Sequence, residues 1–220
     1  MKRLIALFAT IAILLCFSGC ASKTVYTRGT WKGNLYTNET LGFTYTMPDG
    51  WTAKSDDALM VSIDNGYAAL TEEQKKDYDY SKNKTIYDFM VSEENGFSSL
   101  QLMVENLSMT AGAGSMKEED YARSLKQQLE KITSITYSVE EPYSAELYDC
   151  TYLVLPTVVE DPTVDGERLC QDYYIHKNGK LMATFTGVYL ESEREDFVQL
   201  LSESIHPLHP LDQKNGNSQE

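Results

Sequence analysis

Histidine, basic side chains and long apolar runs are what this sequence has little of. Its 220 residues include three His, two Trp, four Cys and six Pro, and 19 Lys and Arg stand against 33 Asp and Glu. So acidic a chain does not offer the clustered Lys and Arg that nucleic acid or an anionic bilayer face selects. General acid–base work at neutral pH most often uses His, and so do many metal centres. His176 falls at a predicted hairpin end, and His206 and His209 in His-Pro-Leu-His-Pro read as a helix stop. Residues 111–115 (Ala-Gly-Ala-Gly-Ser) lack both the Gly-Lys-Ser of a phosphate loop and the Gly-x-Ser-x-Gly of a nucleophile elbow. Asp161, Asp165 and Glu167 share a loop without the alternation of an EF-hand, so an acidic surface turn is expected there rather than a calcium site. No catalytic residue, metal ligand or cofactor is assigned.

The N-terminus carries a processing signal. Met1-Lys2-Arg3 is basic, residues 4–15 are apolar but too short to span a bilayer alone, and Phe17-Ser18-Gly19-Cys20 follows. Those four residues resemble the lipobox of bacterial lipoproteins, in which the Cys thiol is joined to diacylglycerol and the chain is cut just before it. The resemblance implies a signal peptide over residues 1–19, lipidation of Cys20, and anchoring on the extracytoplasmic face of a bacterial cell membrane. Two acyl chains suffice for stable anchoring. The other reading is an ordinary signal peptide cut nearby, with release of the protein. Residues 20–33 are expected to be the lipidated Cys and a tether, and the polar residues 209–220 a disordered tail. Residues 34–208 remain, enough for one domain with a substantial core.

The organising stretch is residues 35–51, LYTNETLGFTYTMPDGW. Phe43, Tyr45 and Met47 alternate with Thr44 and Thr46, the period of a strand with one buried face. Met47-Pro48-Asp49-Gly50 fits a type I turn, which should fold Trp51 back over that face. Helices are expected over 56–63 and 71–78, and a hairpin over 86–107 around Asn95-Gly96. Ser115 with Glu118 reads as a capping box for a helix striped by Tyr121, Ala122, Leu125, Leu129 and Ile132. Strands follow over 136–140, 147–155, 168–176 and 180–189, the last two joined at Asn178-Gly179. A final helix is expected from a Ser192–Glu195 cap. Hairpin-linked strands with helices between strand groups predict an α+β fold, a largely antiparallel sheet of six to seven strands with helices packed on its faces.

GFTYTMPDGW, preceded by Tyr36-Thr37-Asn38, resembles the opening of the PsbP/Mog1-like domains. That resemblance implies an antiparallel sheet between helices over most of residues 34–208. Many bacterial members, small lipoproteins among them, have no assigned activity. Plant members assist photosystem II and others bind small GTPases, and no residues here match either task.

Two residue types carry the remaining expectations. Cys150 and Cys170 could pair outside the cell, but symmetric pairing of their strands places them three residues out of register, which favours two buried thiols. Of fifteen tyrosines, Tyr67, Tyr78, Tyr80, Tyr87 and Tyr143 lie in or near predicted loops and could line a binding face, although Tyr is equally good strand filler. The reading is a membrane-anchored extracytoplasmic binding protein whose partner, besides the bilayer through diacylglycerol on Cys20, is an envelope protein, a polymer or a small ligand. A hydrolase with a carboxylate-based site is the alternative, and a transporter's solute receptor, usually two-lobed and longer, is a further one.

Overall fold

The structure is a computed structural model, and it describes residues 24–61, 84–94, 96–132, 136–160 and 166–208. The signal peptide, Cys20, the helix expected over 71–78, Tyr67, Tyr78, Tyr80, Asn95, Asp161, Asp165, His209 and the expected tail lie outside the described residues.

In chain order the strands are β1 (Thr30–Lys32), β2 (Leu35–Asn38), β3 (Phe43–Thr46) and β4 (Trp51–Ala53), followed by helix α1 (Asp56–Val61). Then come β5 (Thr85–Glu93), β6 (Ser99–Asn106) and helix α2 (Glu118–Leu129). Next are β7 (Tyr137–Val139), β8 (Tyr143–Leu147), β9 (Cys150–Leu155), β10 (Thr157–Val159), β11 (Leu169–Asn178) and β12 (Leu181–Leu190). Helix α3 (Arg194–Ser204) and β13 (Ile205–Pro207) close the domain.

Among the described residues every pairing is antiparallel. In the described residues one sheet has nine strands, running β4-β5-β6-β12-β11-β10-β7, with β9 also on β11 and β8 on β9; a second has four, β1-β2-β3-β13. The α+β class and the antiparallel pairing agree with expectation, but the strands exceed the six to seven expected and divide between two sheets. Three of the extra strands have identifiable causes. Residues 205–207 do not simply stop α3; they pair with β3, Ile205 opposite Tyr45. The strand expected over 147–155 is the turn and second arm of a hairpin that begins at Tyr143, turned by Tyr148 and Asp149 at φ 41° and 66°. Residues 30–32, expected in the tether, pair with β2.

The tether reading fails further back as well. Thr24 is fixed at both backbone groups, its N–H donating to Ser108 Oγ (2.9 Å) and its C=O accepting from Asn106 Nδ2 (2.6 Å). Tyr26 is buried. The domain therefore begins by Thr24, ten residues before the expected boundary.

Side-chain alternation gives the large sheet two covered faces. Leu100, Leu102 and Val104 of β6, Ala183 and Phe185 of β12 and Tyr174 of β11 share a cluster with Tyr36, Phe43 and Tyr45 of the small sheet and Phe197 and Leu201 of α3. Tyr45 stacks on Phe89 at 5.3 Å, and Phe43 meets Phe185 edge-on at 5.3 Å. Full burial of a Phe is worth about 1.5–3 kcal/mol, so these rings join the sheets. The opposite face packs Tyr173, Ile175 and Met182 against Tyr121, Ala122, Leu125 and Leu129 of α2, and Tyr87, Met90 and Met103 against Leu59 of α1. One outer layer thus combines the small sheet with α3, and helices form the other. Trp51 is buried in the first cluster as expected. It is Trp31, however, whose ring meets Tyr36, Tyr45 and Phe89, at 5.2, 6.2 and 5.8 Å.

Local signals are also displaced by a few residues. Trp51 N–H donates to Pro48 C=O (3.3 Å), so the turn is Pro48–Trp51, with Gly50 at φ 78° in its third position. Ser115 caps nothing: its Oγ donates to Gly112 C=O (3.3 Å) and α2 starts at Glu118, where Glu118, Glu119 and Asp120 complement the helix dipole. Ser192 likewise donates to Glu167 Oε2 (2.8 Å) instead of capping α3.

Candidate functional site

The site begins with two prolines. Pro156 separates β9 from β10 and can donate nothing to the ladder. The strand alongside breaks at the same level, β7 ending at Val139 and β8 starting at Tyr143, with Glu140-Glu141-Pro142 between. The register slips there by one residue, from Thr157 opposite Val139 to Val154 opposite Tyr143.

A buried carboxylate holds this break. Asp172 on β11, fully buried, accepts from Thr157 N–H through Oδ1 (3.2 Å) and from Tyr189 O–H through Oδ2 (2.5 Å). Arg194, first residue of α3, sets Nη1 3.7 Å from Oδ2 and donates through Nη2 to Cys170 Sγ (3.2 Å). Burial raises the Asp172 carboxyl above the usual range, and these donors offset part of that rise. Burial also pushes the Cys170 thiol up against the pull of Arg194, whereas a nucleophilic Cys needs a lowered value and access. Asp172 is thus a buttress for the Pro156 kink.

With the kink fixed, a groove of about 470 Å³ opens between α2 and the break, within the usual size for a binding pocket. Ala122, Leu155 and Pro142 are its apolar part, and Arg123, Lys126 and Glu141 are among its charged lining. Lys126 Nζ lies 3.9 Å from Glu141 Oε1 in the facing β7–β8 break. That pair is largely exposed and opposes opening weakly. Among the described residues β8 pairs only with β9, which leaves its outer edge unladdered beside the groove.

A second buried carboxylate lies across the sheet. Asp88, at a bulge in β5, accepts through Oδ2 from Tyr26 and Tyr36 O–H (2.5 Å each) and Asn38 Nδ2 (2.7 Å), and through Oδ1 from Arg28 Nε (3.3 Å). Arg28 bridges onward to Asp56 (2.9 Å). Burial raises the Asp88 carboxyl and, with the Asp88 charge beside them, moves both phenols well above their ordinary range. Tyr36-x-Asn38 of the opening motif therefore serves to seat a buried charge. Asp88 is nearly inaccessible and its oxygens are taken up by Tyr26, Tyr36, Asn38 and Arg28, so it is suited to ordering the chain from Tyr26 to Asn38.

The tyrosines considered as a binding face do not converge. Tyr87 is buried with Leu59, Met90 and Met103, and Tyr143 is exposed on β8, one residue from the groove's Pro142. Nine of the twelve tyrosines in the described residues are buried, and three of them bond the two carboxylates, which makes core filler with a polar handle their main use. Both Cys150 and Cys170 are free thiols. Cys170 faces Val158, eight residues along from Cys150, or about 26 Å of strand, so the expected three-residue offset was too small. His176 lies within β11, its Nδ1 3.0 Å from Thr151 O and its ring against Tyr152, and His206 is exposed on β13. No group of three His, Cys, Asp or Glu suited to a metal ion occurs among the described residues.

No family model and no curated protein matches the chain. Solved structures of similar fold include the following two. One is cyanobacterial PsbP (CyanoP) from Synechocystis sp. PCC 6803, 11% identical over 88% of this chain and 98% of that one, with a TM-score of 0.48. The other is LpqN, involved in cell envelope biogenesis of Mycobacterium tuberculosis, 10% identical over 74% of this chain and 82% of that one, with a TM-score of 0.41.

Proposed function

We propose that this chain is a lipid-anchored extracytoplasmic binding protein that holds an extended segment of an envelope protein along α2 and the edge of β8. The observation that carries the reading is the groove between α2 and the β7–β8 break, apolar in part, charged in both signs, and adjoined by an unladdered strand edge. An extended segment laid there would exchange main-chain hydrogen bonds with β8 and set alternate side chains toward α2, the mode in which a strand adds to a sheet edge. The rim suits a partner of mixed charge, since Arg123 and Lys126 stand across from Glu141. The buttress at Asp172 would keep the groove in shape before the partner arrives, lowering the ordering cost of binding. The sequence up to Cys20 supports the location.

Two measurements test this reading. Cys20→Ala should abolish labelling by radioactive palmitate, and normal processing with full release of the unaltered protein into the medium would refute the anchor. A photo-crosslinking residue at Gln127, in the groove, should give a discrete adduct in intact cells that disappears in the Arg123→Glu/Lys126→Glu variant. The same adduct formed equally from Glu195, on α3, would refute the groove as the binding face.

A further inference from the structure

The chain enters the domain at one end of the large sheet, and that entry point is immobilised. Thr24 is bonded to Asn106 and Ser108. At the same end Leu107 N–H donates to Lys180 C=O (2.9 Å), Asn106 N–H to Lys84 C=O (2.7 Å), and Lys177 Nζ to Gly114 and Met116 C=O (3.1 and 2.6 Å). Only Ala21, Ser22 and Lys23 separate Thr24 from Cys20. Four Cα–Cα steps span at most about 14 Å. The strands running away from this end are far longer: β12 carries the chain from Leu181 to Leu190, about 30 Å.

Charge follows the same axis. The entry end is balanced: Lys84, Lys117, Lys177 and Lys180 lie there with Glu39, Glu105, Glu118 and Asp149, Lys84 being paired to Glu105 (3.0 Å). The far end keeps an acidic excess, with Asp49, Glu93, Glu94, Glu167, Glu191 and Glu193 against Arg168, which pairs with Glu191 (2.7 Å), and Arg194; there Glu94 N–H donates to Gly50 C=O (2.9 Å) and Ser98 Oγ to Glu193 Oε2 (3.3 Å). An acidic end is repelled by an anionic bilayer within about a Debye length, roughly 8 Å at physiological salt.

We infer that the surface formed by the β11–β12 hairpin at Gly179-Lys180, residues 107–116 and Thr24 rests against the lipid headgroups, and that the acidic end points away from the membrane. This rests on Cys20 being the anchored residue, and its occupant is the bilayer surface itself. The short leash supplies proximity, and repulsion of the far end supplies direction. The groove along α2 then lies on the flank of the domain, open to a partner standing beside it on the same membrane.

The test uses the full acylated protein in phosphatidylcholine–phosphatidylglycerol vesicles carrying a nitroxide headgroup quencher. A fluorescent amino acid is placed at the exposed position of Lys180 or of Glu94, in separate proteins. The Lys180 label should lose most of its emission and the Glu94 label almost none. Inserting ten Gly-Ser residues after Lys23 leaves the fold untouched and should make the two labels respond alike. Equal quenching at the native leash length, or stronger quenching at Glu94, overturns the orientation. Failure of the protein to float with the vesicles, with no palmitate incorporated, removes the anchor and the orientation with it.

Discussion

Gly187 is where the seating of α3 can be tested most directly. It lies in β12 opposite Asp172 of β11 and Leu100 of β6, and a Cβ added to it would stand 2.4 Å from Cε1 and 2.7 Å from Cζ of Phe197. That ring has little room to yield, being 4% exposed and stacked on Tyr189 at 4.4 Å. Two effects of Gly187→Ala oppose one another. Restricting the unfolded chain gains about 0.4–1 kcal/mol, whereas overpacking a filled core costs about 1–3 kcal/mol. With both contacts well under van der Waals distance the second dominates, for a net loss of about 1–2 kcal/mol. In a domain of this size each kcal/mol lowers Tm by about 2–4 °C. Urea and thermal unfolding should be measured for the single variant and in a Phe197→Leu background, where the shorter side chain vacates the space. There the added methyl should be neutral or stabilising, and the difference between backgrounds is the coupling energy of the pair. A Gly187→Ala protein as stable as the parent, with Phe197 present, would refute the packing argument.

The two buried carboxylates yield two further predictions. Asp88→Ala leaves the Tyr26 and Tyr36 hydroxyls, the Asn38 amide and Arg28 without their shared acceptor, and should cost about 3–5 kcal/mol, the usual penalty for breaking one side of a buried charged network; an unchanged urea midpoint would contradict it. For Asp172 burial raises the folded pKa, so its stabilising contribution is full below the unfolded carboxyl value and is lost as pH rises through the folded one. Asp172→Asn cannot ionise, so the stability gap between parent and variant should narrow from pH 4 to pH 8, and a widening gap in urea titrations would show that ionised Asp172 is the favoured form.

What could be read from sequence is what depends on neighbours along the chain. The alternation Phe43-Thr44-Tyr45 became β3, and the apolar stripe from Tyr121 to Leu129 became the buried face of α2. The Asn178-Gly179 signal became the tight turn between β11 and β12. The elements missed were those that tertiary contact creates. Nothing about Tyr148-Asp149 advertises a two-residue turn, because Asn-Gly pairs supply the usual positive φ. Tyr148 is carried in that conformation by ring contacts to Phe43 and Tyr152 at 5.6 and 5.8 Å. Residues 24–30 read as tether because they follow a small, polar stretch and carry no apolar alternation of their own, yet Tyr26 and Arg28 are bound to Asp88, some sixty residues away.

The groove lay beyond reach for the same reason: it depends on Pro142, Leu155 and Ala122 meeting, and no local pattern sets the register that brings them together. One sequence signal did point to its support. A strand buried on both faces is nearly continuous in apolar residues; in Ile86-Tyr87-Asp88-Phe89-Met90 an Asp interrupts such a run, and in Cys170-Gln171-Asp172-Tyr173-Tyr174 a Gln and an Asp do. An ionisable group inside a buried strand costs several kcal/mol unless other groups bond it, so each Asp implied partners brought from elsewhere in the chain. The abundance of Tyr named their chemistry, since a phenol can fill core space and still donate to a carboxylate. Both Asp residues have those partners, at Tyr26 and Tyr36 in one case and Tyr189 in the other. The tyrosine excess is therefore explained from within the fold, and a binding role has to be argued from the edge at Tyr143 and the charged flank of α2.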